Sequence, residues 1–160
     1  MKISIRPTRP DEVKILCELD VQIFENNAFD APELWENLET FFILADKFIV
    51  GSIALRHNTG MADHYDYEYL PETGSIYIVS IGLLPAWQDR KIGKQGMQWI
   101  IAYARKNNFT RIVSNVRASN IRSILLHQGA GFRISQLIPE YYEEPKEDTV
   151  VLELKLDGAQ

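Results

Sequence analysis

Residues 75–101 read SIYIVSIGLLPAWQDRKIGKQGMQWII, and the change of pattern inside this stretch decides the fold. Ser75 to Leu83 is a dense apolar, β-branched run, the pattern of a central strand buried on both faces. Past Pro85 the period changes. From Lys94 to Lys106 the apolar positions Met97, Ile100, Ile101 and Ala104 recur at helical spacing and mark one core-facing stripe. Between strand and helix lies Gln88-Asp89-Arg90-Lys91-Ile92-Gly93, followed by Lys94. A helix amino terminus exposes unpaired N–H groups and about half a positive charge, so it favours anions. Arg90, Lys91 and Lys94 therefore stand at the wrong end of their helix, each unfavourable by about a few tenths of a kcal/mol. A bound polyphosphate would reverse that sign. A solvated basic helix start has the same residues, so the loop alone leaves both readings open.

The flanking sequence extends the unit in both directions. Lys2 to Arg6 alternates apolar and polar residues and predicts a short strand. Thr8-Arg9-Pro10-Asp11-Glu12 opens a helix with Val13, Leu16, Cys17, Val21 and Phe24 at helical spacing, and polar Asp20 interrupts that stripe. Ala31-Pro32 predicts a second short helix carrying Leu34, Trp35 and Leu38 on one side. FFILAD and KFIVGSIALRH, split at Asp46-Lys47, read as a hairpin. Residues 58–73 form a long polar and aromatic excursion whose His64–Tyr69 stretch is either a lid over a site or a wrap along a sheet edge. Downstream, Thr110 to Val116 is a strand, and Ser119 and Asn120 cap a helix running to about Gln128, closed by Gly129 and Gly131. Strands from Phe132 to about Tyr142 and from Thr149 to Leu156 complete the order β-α-α-β-β-β-α-β-α-β-β.

Composition excludes whole classes. The 160 residues suit a single domain over 1–160, and 46% hydrophobic with 24% charged residues excludes a disordered chain. No apolar run approaches the ~20 residues of a membrane span, and MKISIRPTRPDEVK lacks the apolar run of a secretory signal. The lone Cys17 fits a core position and a reducing, cytoplasmic setting. One cysteine and three scattered histidines (His57, His64, His127) make no metal-ligand set, and a net charge of −5 argues against nonspecific nucleic-acid binding.

Two segments carry a family resemblance. Gln88-x-x-Lys91-x-Gly93, between buried strand and helix, resembles the Gln/Arg-x-x-Gly-x-Gly/Ala motif of GNAT-fold acyltransferases. Asn120-Ile-Arg-Ser123-Ile124-Leu-Leu126-His127-Gln-Gly-Ala-Gly131-Phe132 is similar to the family's Asn-x-x-Ala-x-x-Leu-Tyr-x-x-x-Gly-Phe helix, in the usual order and separation. The resemblance implies an α+β GNAT fold, a central mixed sheet of about seven strands flanked by about four helices. It implies acetyl-CoA as acyl donor, held by Gln88, Asp89, Arg90, Lys91, Ile92, Gly93 and Lys94 together with Asn120 and Ser123. Backbone amides at Ile81, Gly82 or Leu83, where the central strand splays, would hold the acetyl carbonyl. Within the family the chain looks most like protein amino-terminal acetyltransferases, through Tyr77-Ile-Val-Ser-Ile-Gly82, Val116-Arg-Ala-Ser-Asn120 and Pro139-Glu140-Tyr141-Tyr142. That likeness places Tyr141, Tyr142 and Phe29 at the acceptor.

Three departures bear on chemistry. Lys91 replaces the first motif glycine, which costs on the order of 1 kcal/mol or more if the position needs a positive φ. His127 replaces the tyrosine that protonates the departing thiolate, and an imidazole with reference pKa ~6.5 could serve as general acid or simply bond locally. Asn115 replaces a carboxylate or imidazole and cannot accept a proton, which leaves Tyr77, through a water, as the candidate acceptor of the amine proton. Tyr77 is equally at home as a core aromatic. Tyr141 and Tyr142, adjacent on a strand, should face opposite ways, one functional and one structural. The acidic Glu140, Glu143 and Glu144 would attract a cationic amine or form a solvated rim. The expected activity is acetyl transfer to a primary amine, a protein amino terminus or a small molecule, by a monomer or homodimer. A non-catalytic acyl-CoA-binding module is the alternative from another class.

Overall fold

β-branched and alternating segments become strands wherever the sequence shows them, and a computed structural model describes residues 1–57, 74–143 and 145–156. The strands are β1 (Ile3–Pro7), β2 (Glu39–Ala45), β3 (Phe48–His57), β4 (Ser75–Leu83), β5 (Arg111–Arg117), β6 (Arg133–Glu143) and β7 (Lys146–Lys155). They form one mixed seven-stranded sheet in the order β1-β2-β3-β4-β5-β7-β6. The helices are α1 (Val13–Phe24), α2 (Ile92–Lys106) and α3 (Ile121–Gly129). None is long and apolar enough to cross a membrane.

Among the described residues, three α-helices stand where about four were expected. The missing one is the segment after Ala31, which makes only a 3₁₀ turn, Pro32–Trp35. Proline starts that turn as it should, but Glu36 is extended and Asn37 adopts φ 65°, so the chain leaves helical geometry at once. Trp35 alone of the expected stripe is buried; Leu34 is exposed and Leu38 half-buried. The excursion at 58–73, with its His64–Tyr69 stretch, lies outside the described residues, as does Glu144.

The packing divides into two units, residues 1–56 with 79–99 and residues 57–78 with 100–160, so β4 and α2 each contribute to both. In the first unit β1, β2 and β3 are antiparallel, and the β2–β3 turn is Asp46-Lys47 with Asp46 at φ 53°. Leu16, Cys17 and Leu19 of α1 pack with Trp35, Phe42 and Ala54. A bidentate pair, Arg6 to Glu12 at 2.9 Å on both arms, ties β1 to the turn that starts α1. A Cβ on Gly51 would collide with the carbonyl oxygen of Gly82, so β3 and β4 approach closely there.

In the second unit the first half of β4 pairs in parallel with β5, Ser75–Ile78 against Arg111–Ser114. That ladder ends at Ile78, although β4 runs on to Leu83 and β5 to Arg117. β5 continues antiparallel to β7 and β7 to the edge strand β6. Ile76, Ile112 and Leu152 fill the interior of this unit, each with no exposed surface.

Candidate functional site

In the first unit, the turn from β4 into α2 is built on backbone that few side chains tolerate. Asp89 has φ 62° and Lys91 φ 64°, two left-handed non-glycine residues one position apart. Each costs on the order of 1 kcal/mol relative to ordinary backbone. The condition attached to Lys91 in the sequence is therefore met. Such alternating conformations turn successive N–H groups toward one side and make a concave cradle for an anion. The cradle is anchored at both ends: Gln88 Nε2 donates to Leu83 O at 3.1 Å, and Ile92 is fully buried at the start of α2. Asp89, Arg90, Lys91 and Lys94 are exposed, with the Arg90 guanidinium 4.9 Å above the Trp87 ring. No acidic residue lies in the first turn of α2 to balance them. Gly93 is half-buried in that turn.

Upstream of this turn stand Ile81, Gly82 and Leu83, beyond the last β5-paired residue of β4. Gly82 has a packing reason to be glycine, because a Cβ there would lie 2.6 Å from Phe24 and 2.8 Å from Ile23 at the end of α1. Phe29, in the same unit, is half-buried. Its N–H donates to Asp20 Oδ2 at 2.7 Å, its carbonyl accepts from Trp35 Nε1 at 3.1 Å, and its ring meets Trp35 edge-on at 5.4 Å.

In the second unit Asn120 and Ser123 sit at the start of α3. Asn120 Oδ1 caps the helix, accepting from the Ser123 N–H at 3.2 Å. His127 ends up where an acid is least useful. The residue is 1% exposed, Nδ1 lies 2.7 Å from the Ser123 carbonyl and Nε2 2.9 Å from Ser114 Oγ. A carbonyl only accepts, so Nδ1 carries the hydrogen, and Nε2 pairs with the Ser114 hydroxyl, which can donate to it or accept from it. Burial pushes His127 below the ordinary histidine range, against the Ser123 contact that favours the charged form. The ring is a strut between α3 and β5, with Phe132 edge-on at 5.0 Å.

Tyr77 is 8% exposed and pairs in register with Val113. Parallel partners share a face and neighbours along a strand alternate. Tyr77, Val113 and Asn115 therefore stand on one face, and the Ser114–His127 pair on the other. The two residues expected to share the chemistry do not converge. Asn115 Nδ2 is buried with no hydrogen-bond partner, an orphaned donor on the Tyr77 side.

Tyr141 and Tyr142 also depart from expectation. Their rings meet edge-on at 5.0 Å instead of facing opposite ways. The pairing of β6 with β7 is irregular between Ile138 and Tyr142, and Glu140 there has φ 52°, which breaks the alternation. Tyr142 is held internally, under the Arg117 guanidinium at 4.1 Å and against Thr149 Oγ1 at 3.4 Å.

Sequence reasoning noticed Asp20 only as a flaw in a stripe. It is 2% exposed, desolvation raises its carboxyl to about 6, and Oδ1 has no partner. The signal was present: an acid inside an apolar helix face is expensive and rarely kept without a reason.

Comparison with known proteins agrees with this architecture. At 14% identity the chain superimposes on the Escherichia coli ribosomal-protein-S18-alanine N-acetyltransferase with TM-score 0.77, covering 96% of this chain and 94% of that one. Arabidopsis thaliana NAA60, solved with acetyl-CoA, matches at 15% identity and TM-score 0.80 over 98% and 100%. A Bacillus subtilis acetyltransferase solved with CoA matches at 21% identity and TM-score 0.75 over 97% and 99%. No curated protein matches by sequence. The model of the acetyltransferase (GNAT) family matches residues 11–132, which spans both the strained turn and the Asn120 helix, and the chain belongs to that family.

Proposed function

We propose that the chain transfers the acetyl group of acetyl-CoA to a low-pKa primary amine, with a peptide α-amino terminus favoured over a small-molecule amine. The observation that carries the donor site is the turn at Asp89 and Lys91, strained, cation-rich and lacking an acid in the following helical turn. A pyrophosphate there would accept from the turn's N–H groups and balance Arg90, Lys91 and Lys94. Solved neighbours that hold CoA or acetyl-CoA support the same donor. Asn120 and Ser123 extend that donor site in this reading.

In the chemical step the amine nitrogen bonds the thioester carbonyl carbon, the C–S bond breaks and sulfur leaves as a thiolate. Amides at Ile81, Gly82 or Leu83, past the end of the β4–β5 ladder, would receive the negative charge on the carbonyl oxygen in this reading. A thiolate of pKa about 8.5 recovers its proton from water without a dedicated acid, which suits a site that His127 does not serve. Tyr77 relays the amine proton through a water, and Asn115 Nδ2 donates to a carbonyl or water on the same face.

The acceptor preference follows from the missing base. At pH 7 deprotonating a lysine costs about 4.6 kcal/mol and an α-amine about 1.1 kcal/mol. Phe29 and Tyr141 would line the acceptor side, with Tyr142 supporting Tyr141. Calorimetric titration with acetyl-CoA, followed by turnover on an alanine-initiated peptide, spermidine and free lysine, tests the reading. Fastest turnover on the peptide is expected. Binding with turnover only on lysine side chains would overturn the α-amine preference, and absence of binding would overturn the donor site. In Tyr77→Phe, kcat should fall at least tenfold with the acetyl-CoA Kd unchanged.

A further inference from the structure

We propose that Asp20 is a positioning residue for the acceptor: through the Phe29 amide it fixes the segment joining α1 to β2, and so sets acceptor affinity without entering acetyl-CoA binding. The inference rests on the reading that Phe29 faces the acceptor.

The connections run in one direction through the first unit. Asp20 projects from α1 among Leu16, Cys17 and Leu19, on the buried side of the helix. Its Oδ2 takes the Phe29 N–H at 2.7 Å. Phe29 in turn receives the Trp35 indole on its carbonyl at 3.1 Å and on its ring at 5.4 Å. Trp35 is 5% exposed and belongs to the same core cluster as Leu16 and Cys17. The segment thus has two attachments to the interior, one polar at Asp20 and one aromatic at Trp35, and Phe29 is where they meet. One turn after Asp20, Ile23 and Phe24 pack against the position where a Gly82 side chain would stand. The same stretch of helix therefore backs both the carbonyl-holding strand and the Phe29 segment.

Packing alone gives no reason for an acid at this position. Among the described residues Oδ1 is buried without a partner, and the bond to Phe29 is the only one that opposes desolvation. A leucine would fill the apolar face without that penalty, but it could not accept from the Phe29 amide. The Cys17 thiol is raised by burial, and the carboxylates of Asp20, Asp30 and Glu33 act on it in the same sense. Among the described residues no cation offsets the Asp20 charge.

The test uses the whole chain in three forms: wild type, Asp20→Ala and Asp20→Asn. Asparagine keeps an oxygen for the Phe29 amide and removes the titration. Two-dimensional amide spectra of wild type should show the Phe29 N–H shifting with pH around a midpoint near 6, and Asp20→Asn should abolish that titration while keeping the signal dispersed. With the alanine-initiated peptide as acceptor, Asp20→Ala should raise KM about tenfold or more, with the acetyl-CoA Kd held within about twofold. Asp20→Asn should recover most of that KM. A Phe29 amide that does not follow Asp20 overturns the attachment. An amide that follows it, with acceptor KM unchanged in both variants, overturns the positioning role. If Asp20→Ala does not fold, Asp20→Leu, which fills the same face but cannot accept from the Phe29 amide, takes its place, and an acceptor KM unchanged there overturns the role. Failure of the function reading itself would look different, as wild type binding acetyl-CoA without acetylating the peptide.

Discussion

The turn between β4 and α2 and the helix α3 carry the two halves of the family's sequence pattern, yet they are held in opposite ways. In α3 the motif residues bond within the protein: Asn120 Oδ1 caps Ser123, and His127 bonds both Ser123 and Ser114. In the turn, cations stand in solvent at a helix amino terminus, on backbone kept left-handed at two non-glycine residues. A side chain whose partners are all internal contributes to the fold. Strained backbone and solvent-exposed cations at a helix start are the features expected of a place where a ligand completes the balance. In the proposed reading the histidine is architectural, and the lysine belongs to the donor site.

The largest test of this contrast is His127→Ala. Removing the ring leaves a cavity and an unpaired Ser114 hydroxyl, so urea unfolding should show a loss of about 2–4 kcal/mol. The pH profile of kcat between 6 and 9 should keep its shape; loss of an alkaline limb, the mark of a general acid, would break the comparison. Next in size, Arg90→Ala combined with Lys94→Ala should weaken acetyl-CoA binding about tenfold, roughly 1.4 kcal/mol, and reduce its salt dependence, with little change in stability. An unchanged Kd would return the turn to a solvated helix start. The smallest effect is expected for Lys91→Gly, a stability gain of up to about 1 kcal/mol from relieved backbone strain, offset in part by the freer unfolded chain. A loss of stability would mean that the lysine side chain supports the turn.

Much of the architecture was legible because it rests on period. The buried run from Ser75, the helix after Ile92 and the Asp46-Lys47 hairpin were found by spacing alone, and those are interactions between near neighbours. Legibility failed where a distant partner decides. Nothing near His127 in sequence announces Ser114, which reaches it from β5 thirteen positions away. The faces of Tyr77 and Asn115 depend on a parallel register that one strand cannot display. The left-handed turn was hidden for a different reason: glycine usually signals such backbone, and Asp89 and Lys91 replace the signal while keeping the conformation. The short segment after Pro32 had a helix start but no visible stop, since Asn37 ends it through its own φ.

Glu12, in the turn that starts α1, and Asp20, in the second half of that helix, are both buried carboxylates, and acid acts on them in opposite senses. Glu12, paired with Arg6 and the Arg9 N–H, is held down to about 2. Its contribution is present above the ordinary glutamate range and is lost as pH falls from about 4.5 toward 2. Asp20 is raised to about 6, so its burial is least unfavourable when protonated, and stability declines as pH climbs from about 4 through 6. The helix and its starting turn therefore respond to pH from both sides, Glu12 losing its contribution in acid and Asp20 opposing the fold as pH rises. Chemistry that needs a neutral amine runs where Asp20 is charged, so the bond to the Phe29 amide is strongest where the substrate is ready to react.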